Sequence, residues 1–190
     1  MARSSRFAGI SLLGLACTLV LTGCFGSTTS SVDNSNLIAY EGSGFTMQVP
    51  KTWTAVGSKD LPKPKGGSVA GAFTSPEISS GFANNLLILR DTLADSTMTS
   101  RKYAVVNQAL TTGEYLEYTK LAEAKVTFGD KDESIINTFE ARYSKETPKQ
   151  KFLQTSKVCG KNVYLLTIGL SLSNATTDKY AEIFKTFACK

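Results

Sequence analysis

The sequence of 190 residues contains no histidine. That absence removes Ser–His and Cys–His nucleophile activation, imidazole general bases and every zinc site built on imidazole. Charge of one sign is scarce too. The 21 basic and 16 acidic side chains leave a formal net charge of +5, or +3 once the two leader arginines are removed, too mild for the footprint of a nucleic-acid-binding surface. No apolar run beyond the N-terminal segment approaches the roughly 20 residues that span a bilayer, so the rest of the chain is expected to be soluble. Two catalytic patterns are also missing. Around Ser43 the chain reads Glu41-Gly42-Ser43-Gly44, so the Gly-x-Ser-x-Gly elbow is absent. No lysine has a serine three residues before it, so there is no Ser-x-x-Lys dyad. The expectation is a non-catalytic protein without cofactor or metal.

The N-terminus, by contrast, is rich in signals. Arg3 and Arg6 precede an apolar stretch from Phe7 to Leu21, and small residues follow. This is the order of an export leader. Leu21-Thr22-Gly23-Cys24 resembles a bacterial lipobox, with Leu three residues before the cysteine and a small residue just before it. The resemblance implies a signal peptide over 1–23, cleavage before Cys24, and a diacylglyceryl group, with acyl chains such as palmitate, on the Cys24 thiol; an ordinary secretory signal or a membrane anchor is the alternative. Cys17 is a poor rival, because Gly14 stands where the Leu should be. Loss of the leader takes Arg3 and Arg6 with it, so the net charge falls by two from +5 to +3. Residues 24–38 read as the lipidated end and a tether, since Phe25 to Asn36 are mostly small and polar and cannot build a core. Residues 39–190 have the apolar density of one domain.

Once Cys17 leaves and Cys24 is acylated, Cys159 and Cys189 remain. In an oxidising envelope this pair is expected to form a disulfide, worth about 3 kcal/mol by loop entropy. Two buried free thiols are the alternative.

Within the domain, Phe45, Met47 and Val49 alternate along a strand that Gly42-Ser43-Gly44 introduces and Pro50 ends. Trp53 follows, placed under the sheet. Leu61 to Ser68 is a loop of Pro, Lys and Gly, and Val69 to Ser75 a short strand. The unbroken run Leu86 to Leu89 reads as a central strand covered on both faces. A helix is predicted from Thr99 or Ser100, with Tyr103, Val106 and Leu110 as its buried stripe, and Glu114 to Leu121 as its continuation or a second short helix. Four strands with short turns then predict an antiparallel meander. In the first, Ala124, Val126 and Phe128 alternate; in the second, Ile135, Phe139, Ala141 and Tyr143 share a face. A last helix carries Tyr180, Ile183, Phe184 and Phe187 at i, i+3, i+4 and i+7, with Thr177 as its cap. Its apolar face must cover a sheet, and Cys189 beyond its end then comes near Cys159.

Other candidates are weaker. Asp130, Asp132 and Glu133 read as a solvated turn rather than a calcium site, which needs a spaced loop and a distal Glu. Lys63, Lys65 and Gly66-Gly67 read as an exposed loop rather than a phosphate cradle. Asn174-Ala175-Thr176 matches a glycosylation acceptor by chance. Tyr115, Tyr118 and Tyr143 read as core or half-buried residues, with a binding groove as the alternative.

The segments from Tyr40 to Trp53, Ala122 to Ser144, and Lys149 to the C-terminus resemble those of PsbP-like domains. The first is an aromatic, a turn, a Gly-Phe strand, a Pro and a Trp; the last is a hairpin with a Tyr-bearing strand, followed by a helix ending near a Phe. The resemblance implies an α+β fold, an α/β/α sandwich around a curved, mainly antiparallel sheet. Members include the extrinsic subunit of photosystem II, a Ran-binding relative in fungi, and envelope lipoproteins such as DcrB and the LpqN group. It implies a lipid-anchored envelope lipoprotein that binds a protein partner or supports an assembly, with a small-molecule or lipid carrier as the alternative. The photosystem role depends on histidines that this chain lacks, so it is not carried over. The membrane is contacted through the N-terminal lipid, and nucleic acid is not an expected partner. Mass spectrometry of the native product is expected to show loss of residues 1–23 and a lipid adduct on Cys24. The Cys24→Ser variant is expected to retain Met1 and to have the mass of the plain polypeptide.

Overall fold

Alternation and turn chemistry set the strands. A computed structural model describes residues 36–61, 64, 66–174 and 177–190. The readings on the leader, on Cys24 and on the tether up to residue 35 lie outside the described residues. So do Lys63, Lys65, Ala175 and Thr176.

Strands β1 (Leu37–Gly42) and β2 (Phe45–Pro50) form a hairpin, with Gly42 opposite Phe45 and the two-residue turn Ser43-Gly44 between them. Gly44 holds φ +86°, and a Cβ there would lie 2.7 Å from the Tyr164 hydroxyl, so both backbone and space call for glycine. β3 (Thr54–Ala55), β4 (Ser68–Ser79) and β5 (Phe82–Thr92) follow, with Ser80-Gly81 at positive φ closing the β4–β5 hairpin. Helix α1 (Ser100–Glu114) crosses to the meander β6 (Leu116–Thr127), β7 (Glu133–Arg142), β8 (Gln150–Cys159) and β9 (Asn162–Ser171). Helix α2 (Asp178–Lys185) and β10 (Ala188–Cys189) end the chain.

The strands form two antiparallel sheets, one ordered β1-β2-β10 and one ordered β3-β4-β5-β9-β8-β7-β6. The large sheet is the middle layer. On one face, β2 and α2 seal the main core, where Phe45, Met47, Val49, Ile183, Phe184 and Phe187 meet Leu86, Ile88, Leu153, Tyr164, Leu166 and Ile168. Phe45 stacks on Phe187 at 4.7 Å and meets Tyr164 edge-on at 5.1 Å. On the other face, α1 lies over β7 and β8, beside a smaller cluster of Phe139, Ala141 and Phe152. The α+β, sandwich-like class expected from the sequence is the one observed. The small sheet shares a layer with α2.

Several sequence readings change. Residues 116–121 are strand, not helix: Tyr115 turns extended (φ −97°, ψ 143°) and Leu116 pairs with Arg142. Pairing with β7 overrides the local helical pattern. β4 runs twelve residues, longer than Val69 to Ser75. Trp53 packs against the main core as read, beside Tyr180 of α2 with ring centroids 6.2 Å apart. Tyr143 lies past the end of β7 and is 64% exposed. The largest change is in α1. Thr99 caps it as expected, its hydroxyl accepting from the Lys102 N–H at 3.2 Å. The stripe is reversed, however: Val106 and Leu110 point outward, and Ser100, Ala104 and Thr111 are buried. Thr177 stands at the α2 cap position without a side-chain bond.

One polar junction holds the layers together at the α1 N-terminus. Lys157 is 3% exposed, and its ammonium lies 2.9 Å from both Asp130 Oδ2 and Asp132 Oδ2, over the Phe128 ring at 5.4 Å. Ser100 Oγ donates to Asp132 and accepts from the Val158 N–H at 2.8 Å. The Cys189 N–H donates to Asp130 at 3.3 Å, and the Cys159–Cys189 disulfide (Cα–Cα 5.6 Å) sits alongside. The acidic turn is therefore a seat for a buried ammonium. Burial pushes both carboxyls up, but the bonds from Lys157 and Ser100 to Asp132, and from Lys157 and the Cys189 backbone to Asp130, outweigh it and hold both below the usual range. A depressed folded-state pKa stabilises above the unfolded value and is lost as pH falls through the folded one. Lys157→Ala is expected to cost about 2–3 kcal/mol at neutral pH in urea unfolding, the size of a lost charge-assisted hydrogen-bond set with partly exposed carboxylates left behind. The gap from the parent protein is expected to narrow below about pH 4, where unfolded carboxyls protonate.

Candidate functional site: a cleft beside α1

Helix α1 covers β7 and β8 and stops short of β9, β5 and β4. Between it and the connection at Leu61, Pro64 and Gly66 lies a cleft of about 540 Å³. Its floor is the sheet face opposite the main core. Leu87 and Leu89 of β5, Leu165 of β9 and Val69 of β4 supply the apolar part. In β5 the run Leu86 to Leu89 thus divides: Leu86 and Ile88 enter the sealed core, and their neighbours line the cleft. The strand is covered on one face and half-open on the other, which corrects the reading of full cover. Gly67 sets the entry into β4. It holds φ +68°, and a Cβ would lie 2.4 Å from the Arg90 carbonyl oxygen.

The polar part of the floor is pre-arranged. Gln154 Oε1 accepts from Asn107 Nδ2 at 2.9 Å and from Thr111 Oγ1 at 3.0 Å, and its Nε2 donates to Thr167 Oγ1 at 3.0 Å. The amide of this buried residue is therefore satisfied on both sides, and it locks α1 to β8 and β9. At the far end stand Glu114, Tyr115 and Tyr143. The rings of Tyr115 and Tyr143 meet edge-on at 6.0 Å, and Tyr115 is backed by Phe139 and Phe152 at 5.4 and 5.0 Å. Burial, with smaller effects from Tyr143 and Glu114, pushes the Tyr115 phenol up to about 12.

These groups can grip a ligand by contact, hydrogen bonds and one carboxylate. Among the described residues no cluster of three His, Cys, Asp or Glu side chains is placed to hold a metal ion, and no helix is long and apolar enough to cross a membrane. Of the sequence candidates, Tyr115 and Tyr143 come together in the cleft. Tyr118 stacks on Phe139 at 4.9 Å outside the lining. Ser43 is a hairpin-turn residue whose carbonyl accepts from Tyr164 at 2.7 Å. Cys159 packs against the main core on the opposite sheet face. Sequence reasoning missed Gln154, Asn107 and Thr111. Their signal was polar residues inside predicted elements, which reads equally as a solvated face.

The layers define a PsbP-like α+β fold. Among solved structures, the chain is similar to cyanobacterial PsbP (CyanoP) of Synechocystis sp. PCC 6803, at 12% identity and TM-score 0.54 over 90% of this chain and 99% of that one. It is similar to the protein PA94 of Pseudomonas aeruginosa, at 10% identity and TM-score 0.53 over 82% of this chain and 98% of that one. It is also similar to a Mog1 variant, at 12% identity and TM-score 0.50 over 81% of this chain and 96% of that one. No protein-family model matches the chain, and no curated protein matches it in sequence. At such identities the likeness establishes the fold.

Tyr115 gives a pH test of the geometry. A phenol raised from about 10 stays protonated in the folded protein while the unfolded chain ionises. Its contribution is intact below the unfolded value and is lost as pH rises from about 10 towards 12. Titration by phenolate absorbance is expected to show a late-titrating tyrosine near 12 that Tyr115→Phe removes, together with part of the alkaline loss of stability.

Proposed function

We propose that this chain is a lipid-anchored, extracytoplasmic, non-catalytic binding domain that holds a small, partly apolar molecule in the cleft beside α1. The cleft carries the reading. Its volume, about 540 Å³, lies in the range of small-molecule sites, roughly 300–1,000 Å³. It combines an apolar floor with fixed polar groups, the usual composition of such sites. The Leu21–Cys24 block and the Cys159–Cys189 disulfide support the compartment and the anchor. The absence of histidine and, among the described lining residues, of a nucleophile–base pair supports binding without turnover.

A protein partner is the second reading, favoured by the outer face of α1. Val105, Val106 and Leu110 are 53%, 52% and 62% exposed there, an aliphatic face turned to solvent.

Small molecules extracted from the purified full-length chain and from Leu165→Trp, which fills the cleft floor, separate the two. Mass spectrometry is expected to find one species in stoichiometric amount with the parent chain and at least tenfold less with the variant. Identical extracts, with a protein co-purifying equally with both, would overturn the cleft reading in favour of the partner.

A further inference from the structure

The charge and ring chemistry at one end of the cleft restrict the ligand. We propose that the cleft takes an amphiphilic organic cation, with its ammonium group among Glu114, Tyr115 and Tyr143 and its apolar part along Leu87, Leu89 and Leu165. The proposal rests on the reading of the cleft as a ligand site.

Three features converge on a cation. Glu114 is the charged side chain among the described lining residues, and it makes no hydrogen bond or ion pair there. The chain as a whole is basic, with 21 Lys and Arg, yet none of those described lines the cleft. Second, Glu114 is the last residue of α1, and the last turn carries no basic side chain. The C-terminal carbonyls of a helix carry partial negative charge, which favours cations and disfavours a carboxylate beside them. A positive group bound here would answer both. Third, Tyr115 and Tyr143 meet at 73° with centroids 6.0 Å apart, two walls of an aromatic corner whose ring faces attract an ammonium. Tyr115 is held rigid by Phe139 and Phe152, so the corner loses little freedom on binding. The floor leading away from it is aliphatic, so the ligand carries an apolar part. An anionic lipid or a free carboxylate would meet the Glu114 charge and the helix end together.

Titration calorimetry on the full-length chain tests this with three amphiphiles of equal tail, each kept below its micelle-forming concentration: octyltrimethylammonium, octyl glucoside and octyl sulfate. The cation is expected to bind about fivefold tighter than the glucoside, the size of a partly exposed cation–π contact plus a surface charge pair, and the sulfate weakest. Glu114→Gln and Tyr143→Ala, both at exposed positions, are each expected to bring the ratio of cation to glucoside affinity down towards one. Equal or tighter binding of the glucoside or sulfate by the parent chain, lost in Leu165→Trp, would overturn the cation and leave the cleft standing. Failure of all three to bind, or binding unaffected by Leu165→Trp, would remove the cleft reading and the cation with it.

Discussion

The polar face that β8 turns towards α1 governs that side of the molecule. Gln154 and Ser156 are 4% and 0% exposed, and buried polar groups must find partners. Asn107 and Thr111 supply them for Gln154, and the Ser100 carbonyl accepts from Ser156 Oγ at 3.0 Å. The helix has therefore laid its polar side on the sheet and turned its aliphatic side outward, against the ordinary rule for a surface helix. Hydrogen bonds are directional, so they fix its position more tightly than apolar contact would. Held over β7 and β8, α1 cannot spread across β9 and β5. Leu87, Leu89 and Leu165 are left as the floor of a cleft. The cleft is a consequence of where these polar side chains had to sit.

This explains what the sequence revealed and what it hid. The main core was legible, because Phe45, Met47 and Val49 alternate and Tyr180, Ile183 and Phe184 recur at helical spacing, and apolar burial follows those periods on the α2 side. The order of the meander was legible from its short turns, as was the Thr99 cap. On the α1 side the same logic gave the wrong face, because it assumes that apolar residues point inward. The run Leu86 to Leu89 showed that β5 is apolar on both faces, but not how far each is covered, since cover depends on where a distant helix stops. Residues 116–121 failed for the related reason that strand pairing with β7 is invisible locally.

The sheet edge bears on which surface receives a partner. β6 is a twelve-residue edge strand, a natural template for an added strand. It is defended by register shifts at Leu116/Thr119 and Lys120/Ala122 and by Lys120 and Lys125, each paired to a carboxylate. Such bulges and lysines discourage edge pairing. The β6 edge is thus a poor template for an added strand, and the proposed binding rests on the α1 side, where the cleft and the outward aliphatic face share one helix. Anything seated on Val105, Val106 and Leu110 would press on the element that also walls the cleft.

The end of α1 shows where binding and stability part. A helix built for stability would place Lys or Arg in its last turn and gain a few tenths of a kcal/mol to about 1 kcal/mol from the macrodipole. This one ends on Glu114 instead. Some acidic groups elsewhere are matched: Asp130 and Asp132 neutralise Lys157, and Glu117 accepts from Arg142 at 2.9 Å. Lysines are plentiful, so a counter-charge for Glu114 was available from composition. An unmatched carboxylate at a negative helix end, beside two tyrosines at one end of a preformed cleft, is a small standing cost to the folded protein that a bound cation would offset. The electrostatic deficit therefore lies where a ligand is best placed to correct it.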